Sequence, residues 1–234
     1  MVSSHQILRG CLNISGQDSA SFLQNLITHD IELLGQNPYL HACLLTPQGK
    51  FLHDFFITKT DNGFLLNTEP ETRATDLYKK LSLYKLRASV EIIKEDDRFS
   101  YRTPYGYSFD DKKNAMDEAA WEVHRFSLAR PDGSRDADIG SSTLDELNLT
   151  TSAVSYTKGC YVGQELTARM HHRGLGKKHL HAVEFQATAQ ERDTELPNKI
   201  GIMRSSYSRF GLALIKDEIA TNLTKTPLGF IKIP

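Results

Sequence analysis

The residues with the most chemical reach lie in one stretch, Lys158 to Gly174, which reads KGCYVGQELTARMHHRG. Cys160 is the nucleophile or soft ligand of this stretch, because the thiolate is the reactive form of cysteine. Lys158, two positions earlier, would favour that thiolate by its positive charge if the two side chains meet. Gly159 and Gly163 bracket the loop and permit backbone conformations, or a close ligand approach, that a side chain forbids. Gln164 offers an amide, Glu165 a carboxylate and Arg169 a planar guanidinium, groups that suit a pterin edge and a glutamate tail. From Gly163 onward the segment reads as a short helix, which puts Glu165 and Arg169 on one face at i, i+4. The same spacing describes a weak surface ion pair, and periodicity alone favours that plainer reading. His171 and His172 invite a metal or Cys–His reading together with Cys160. No metal is expected, since zinc wants three or four ligands at recognisable spacings and a catalytic base must be placed in space. The basic turn HHRGLGKK suits solvent or an anion instead.

The elements that must position these residues are mainly short strands. Residues 7–14 alternate as a strand, and Ser15, Gly16 and Asp18 give a helix start before Phe22, Leu23, Leu26 and Ile27 at helical spacing. Tyr39 to Thr46 and Phe51 to Thr58 flank the turn-forming PQGK, and DNG at 61–63 leads into FLLN, which together predict a three-stranded antiparallel meander. Pro70 to Leu83 reads as a helix and 87–93 as a strand, while 110–118 and 131–142 read as exposed loops. Beyond GLGKK the pattern changes to HLHAVEF, KIGIMRSS, FGLALIK and GFIKIP, a small barrel or sandwich of strands.

Composition narrows the function classes. The chain has 234 residues, 39% hydrophobic and 24% charged, with a formal net charge of -1, so binding of nucleic acid by bulk charge is not expected. Residues 1–16 lack the apolar core of a secretory signal, and no run approaches the ~20 apolar residues that span a bilayer. A cytoplasmic protein without membrane attachment is expected. The cysteines Cys11, Cys43 and Cys160 are scattered and odd in number, which argues against a disulfide framework or a metal clip. Cys11 and Cys43 sit in strands among apolar neighbours and read as core.

The segment KGCYVGQE resembles the KGCYxGQE signature of the YgfZ family of folate-binding proteins, whose members include a mitochondrial iron–sulfur assembly factor. SGQDSASFLQNLITHDI, PQGKFLHDFFI and LYKLRASVEI are similar to the family's GxDAxxFLQxLxTxDI, PxGKxLxDFxI and YxLRxxVxI elements, in the same order. GIMRSS and GLALIK continue the likeness. The resemblance implies an α+β fold related to the glycine-cleavage T-protein (GcvT-like). Two interwoven, mainly antiparallel subdomains over 1–175 would surround a central folate channel, followed by a small C-terminal β-barrel over 176–234. It implies tetrahydrofolate or a derivative as cofactor, Cys160 as the residue on which activity depends, with Lys158 beside it. Tyr161, Gly163, Gln164, Glu165, Arg169, Glu146 and Asn67 are carried over as folate-binding. Glu146, in LDELNL, resembles the glutamate of the family's PQExNLD, with Leu144, Asp145 and Thr150 departing from that pattern.

The function so implied is an accessory factor for assembly or maintenance of iron–sulfur clusters in client enzymes, with folate and iron–sulfur client or assembly proteins as partners. The alternative is a folate-dependent aminomethyl or one-carbon transferase like the T-protein; a third reading is a binding module without turnover in which Cys160 merely packs. Departures count against transfer. Asn67 opens a stretch similar to the T-protein's NAxxxxxD, yet position 74 is Ala and Asp76 falls two residues late; Ser127, in RFSLA, stands where the enzyme's RLEAG has Glu.

Overall fold

The computed structural model describes residues 5–70, 72–186 and 190–233, apart from the side chain of Asp97. The first strand, β1 (Gln6–Ser15), alternates so that Leu12 and Ile14 enter the main core. A six-residue helix, α1 (Ser19–Gln24), buries Phe22 and Leu23. The spacing predicts helix as far as Ile27, but the helix stops at Gln24, and Leu26 and Ile27 reach the core from the following turn, where Ile27 bridges Leu44.

The predicted meander follows as β2 (Leu40–Leu45), β3 (Phe51–Thr60) and β4 (Gly63–Thr68). The helix α2 (Thr72–Lys85) then covers one face of the sheet with Ala74, Leu77 and Leu81. β5 (Glu91–Thr103) starts later and runs longer than the predicted 87–93. Leu86 adopts φ 40, and Ala88 N–H donates to the Lys85 carbonyl, so the chain is still turning out of the helix there. With β6 (Gly106–Ser108), the strands form one antiparallel sheet in the order β2-β3-β4-β1-β5-β6.

One helix has no counterpart in the sequence reading. α3 (Glu118–Ser127) starts at Asp117, whose carboxylate accepts the Ala120 N–H at 2.8 Å, and buries Trp121 and Phe126. After an irregular stretch comes α4 (Gln164–Arg173), as predicted. β7 (Lys178–Phe185), β8 (Gly201–Tyr207), β9 (Phe210–Lys216), the one-turn helix α5 (Asp217–Ala220) and β10 (Ile231–Ile233) complete the chain. These strands build a barrel-like second sheet, β10-β7-β9-β8, with β10 parallel to β7. The architecture is thus mixed α+β with mainly antiparallel sheets, as expected.

Two features hold the sheets together. A shared apolar cluster joins Cys43 and Phe51 of the first sheet to Leu180, Leu212 and Phe230 of the C-terminal region through Phe126 and Leu147. Beside it Arg125, fully buried on α3, pairs with Glu122 and Asp136 at 2.8 Å each and donates to Ser205 of β8 at 2.9 Å. A buried ion network of this kind contributes little net stability over an apolar core, but losing one member is costly.

Candidate functional site

The signature loop is fixed by backbone contacts on both sides of Cys160. Lys158 is buried, and its ammonium donates to the carbonyls of Gln24, Ile27 and His29 at 2.6, 2.8 and 3.0 Å, around the end of α1. Of these only the Gln24 carbonyl ends α1, where it lacks a partner further along the helix, and those of Ile27 and His29 belong to the turn that follows. Burial lowers the Lys158 pKa to about 8. The three donors of the ammonium are therefore spent on carbonyls, which corrects the expectation that Lys158 serves the Cys160 thiolate. Val162 N–H donates to Asn25 O at 3.2 Å, Ser155 N–H to Thr28 O at 3.0 Å, and Thr28 Oγ1 to Ala153 O. Residues 153–162 thus lie along residues 25–29.

On the other side the loop meets the PQGK turn glycine to glycine. Gly163 has φ 81 and opens α4; a Cβ on it would stand 2.5 Å from the Thr46 carbonyl oxygen and 3.0 Å from Gly49 Cα. Gly49, at φ 78, would bring a Cβ within 2.6 Å of Leu166 Cβ. Both positions need glycine for conformation and for space, so two motifs far apart in sequence form one contact.

Between these anchors Cys160 is exposed, whereas Cys11 and Cys43 are buried. Burial pushes the Cys11 thiol up to about 12, with the Glu95 charge adding to it, and burial raises Cys43 well above its usual value. Tyr161 is buried in the shared core, with the Lys158 ammonium 5.1 Å from its ring centre. On α4, Gln164 is half-buried and Glu165 and Arg169 are exposed; among the described residues these two form no ion pair. His171 stacks on Tyr156 at 3.8 Å.

A roomy hollow lies where the 28–29 turn meets β2, α3 and the irregular 148–152 segment. It encloses about 700 Å³ and is walled by His29, Tyr39, His41, Tyr105, His124 and Arg130, with Asn148, Thr151 and Ser152 on the side that leads into the signature loop. A cavity of that size with aromatic walls and a few polar groups is of the kind that holds a small-molecule ligand. Among the described residues, no aspartate or glutamate lines it. Asp54 sits behind His41, its Oδ2 accepting from His41 Nε2 at 2.9 Å, with its Oδ1 buried and without a partner among the described residues. Glu69 is close by; burial and then the Asp54 charge raise its pKa. His41 in turn stacks on Phe56 at 4.4 Å. Burial, and secondarily His41, lower the His29 pKa, so His29 is neutral at physiological pH.

The structure does not gather the sequence-derived set in one place. Cys160 and the cavity are linked through Lys158, which bonds the carbonyl of the lining residue His29. Tyr161, Gly163, Gln164, Glu165 and Arg169 belong to the loop and α4 and do not line the cavity. Glu146 bonds the Lys178 ammonium at 2.8 Å and Thr143 N–H at 2.9 Å, tying its loop to β7. Asn67 is buried inside the first sheet, between Ser100 Oγ at 2.8 Å and Arg9 Nε at 3.2 Å. Asp76 lies on α2 against the buried His53 at 2.8 Å, with Arg73 and Lys80 beside it. The wall residues His41, Tyr105, His124 and Arg130 come from separate segments with no common motif, and sequence reasoning missed them.

No family model matches the chain. The iron–sulfur cluster assembly factor IBA57 homolog, mitochondrial, of Neurospora crassa is 26% identical over 74% of this chain, and the match spans only 51% of that relative. The Pyricularia oryzae counterpart is 25% identical over 92% of this chain and 72% of its own length, and human IBA57, mitochondrial, is 27% identical over 90% and 76%. Among solved structures, glycine cleavage system aminomethyltransferase T from Bartonella henselae superposes with a TM-score of 0.70 at 13% identity, covering 91% of this chain and 76% of that one. These relatives are described as mitochondrial, which overturns the expectation of a cytoplasmic protein. That expectation rested on the lack of an apolar signal stretch, which mitochondrial targeting does not use. The chain is accordingly similar in sequence to the IBA57 iron–sulfur cluster assembly factors, and its fold is the fold of aminomethyltransferase T.

Proposed function

We propose that this chain is a tetrahydrofolate-binding accessory factor for the assembly or maintenance of iron–sulfur clusters in other proteins. The observation that carries the reading is an exposed thiol on a fixed loop whose anchoring lysine bonds the wall of a 700 Å³ cavity. The region 1–175 supplies the folate site in this reading, and 176–234 braces it. The cavity suits a reduced folate in size and lining. Tyr39, Tyr105 and His124 offer ring faces to flat groups, and Arg130 keeps a buried guanidinium nitrogen without an acceptor. The bound folate would supply a redox-active and one-carbon-bearing ring; the chain's own residues would orient it and shield it from water.

Cys160 then works on a partner. One thiolate does not hold a [4Fe–4S] cluster, which takes four, and Cys11 and Cys43 are buried, so any cluster met here is shared with an iron–sulfur client or assembly protein. The transferase alternative is the weaker one on two observations. Transfer needs a carboxylate to manage the proton at the reacting nitrogen, and among the described residues none lines the cavity. Asp76 is engaged by His53, Arg73 and Lys80, away from the lining.

Cys160→Ser tests the reading. Because Cys160 is exposed and its thiol bonds no described residue, the variant should unfold at the wild-type midpoint and bind folate unchanged, yet fail to restore iron–sulfur enzyme activity in cells lacking the protein. Full restoration by the serine variant would refute a working cysteine.

A further inference from the structure

The cavity walls carry one permanent charge, and it is positive. Among the described residues, Arg130 is the only lysine or arginine in the lining, and no carboxylate faces it there. Its placement is rigid: the Arg130 N–H donates to Arg125 O at 2.9 Å, its carbonyl accepts from Arg125 Nη1 at 3.3 Å, and its Nη1 donates to Pro104 O at 2.7 Å. The Pro104 carbonyl also takes His124 Nε2 at 3.1 Å, so both lone pairs of that oxygen are engaged. Among the described residues, Arg130 Nη2 is left buried with no acceptor. A buried guanidinium N–H without a partner is a standing cost; since that nitrogen is closed off from the hollow, an anionic oxygen relieves the cost once the covering side chains shift, and the fork geometry favours carboxylate. Burial also lowers the Arg130 pKa, a penalty on its charge that a bound anion would offset.

We infer that Arg130 is the anchor for a carboxylate of the cavity's ligand, and that the site reads the glutamyl end of a folate rather than its pterin. The assignment of the carboxylate to a folate rests on the function proposed above; the anion site itself does not. Aromatic faces at Tyr39, Tyr105 and His124 are then left for the rings of the same ligand. The walls offer the donor edge of a pterin no carboxylate, since Asp54 is covered by His41.

The test is calorimetric titration of wild type, Arg130→Gln and Arg130→Lys with 5-formyltetrahydrofolate and with its carboxylate-free counterpart, the N-methylamide of 5-formyltetrahydropteroic acid. Wild type should prefer the glutamate-bearing ligand roughly tenfold to a hundredfold, the range of one charge-assisted hydrogen bond. Arg130→Gln should bind both ligands with the weaker affinity, and Arg130→Lys should keep part of the preference. The lysine variant decides the question if the glutamine variant does not fold. Equal affinity of wild type for the two ligands, or a preference surviving in both variants, would overturn the anchor. A third titrant separates the two readings: wild type that ignores both pteridines but binds citrate, with that binding lost in Arg130→Gln, refutes the folate and keeps the anion site. Wild type that binds none of the three refutes both.

Discussion

Replacing His53 by Gln isolates one pH-dependent term in the stability of the first sheet. Strand alternation sends His53 towards α2, where it is fully buried and its Nε2 meets Asp76 at 2.8 Å, while Nδ1 has no partner. Burial is the main reason its pKa falls from 6.5 to about 4, helped by the Arg73 charge and opposed by Asp76. The unfolded chain therefore binds a proton at this ring between pH 6.5 and 4 while the folded chain does not. Stability from this group is complete above pH 6.5 and is lost as pH falls towards 4. Between pH 7 and pH 5 the loss comes to about 2 kcal/mol, from the two proton-binding curves at 1.36 kcal/mol per pKa unit. Gln keeps a donor for Asp76 and does not titrate. Urea unfolding of wild type and His53→Gln at both pH values gives the result as a double difference, which cancels the other histidines. Wild type should lose about 2 kcal/mol more than the variant on going to pH 5. Parallel losses would show that His53 is protonated in the native state and that the burial argument fails.

Two further substitutions probe the frame around the site. Gly163→Ala forces a Cβ onto a residue at φ 81 and 2.5 Å from a carbonyl oxygen, and should cost on the order of 2 kcal/mol in urea unfolding. Arg125→Met leaves Glu122 and Asp136 charged and buried, so a loss of roughly 3–5 kcal/mol is expected, and an unchanged midpoint would contradict the network.

How legible the fold was depended on how local its causes are. The meander, α2, α4 and the C-terminal strands announce themselves through alternation, helical spacing and turn residues, and the structure has them within a few residues. The helix α3 did not, because its stretch from Glu118 mixes Trp121, Phe126 and buried Glu122 and Arg125, charges whose burial is offset by each other, by Arg135 and Asp136 in the following loop and by Ser205 of β8. The site divides the same way. Cys160 stands out by its motif, and its exposure agrees with a chemical role. The cavity does not, since its walls are single residues from separate segments that only tertiary packing brings together. Lys158 shows the limit of reading neighbours as partners: two positions from the cysteine, it turns instead to residues more than 120 positions away.

The oxygens that receive the Lys158 ammonium are all main-chain atoms. Side chains at positions 24, 27 and 29 therefore take no direct part in that seat, and act on it only through the turn they shape, whereas position 158 supplies every one of its donors. Arginine, whose donors spread in a plane, does not converge on three oxygens as a rotating ammonium does, so the most conservative exchange of charge for charge would let the thiol drift.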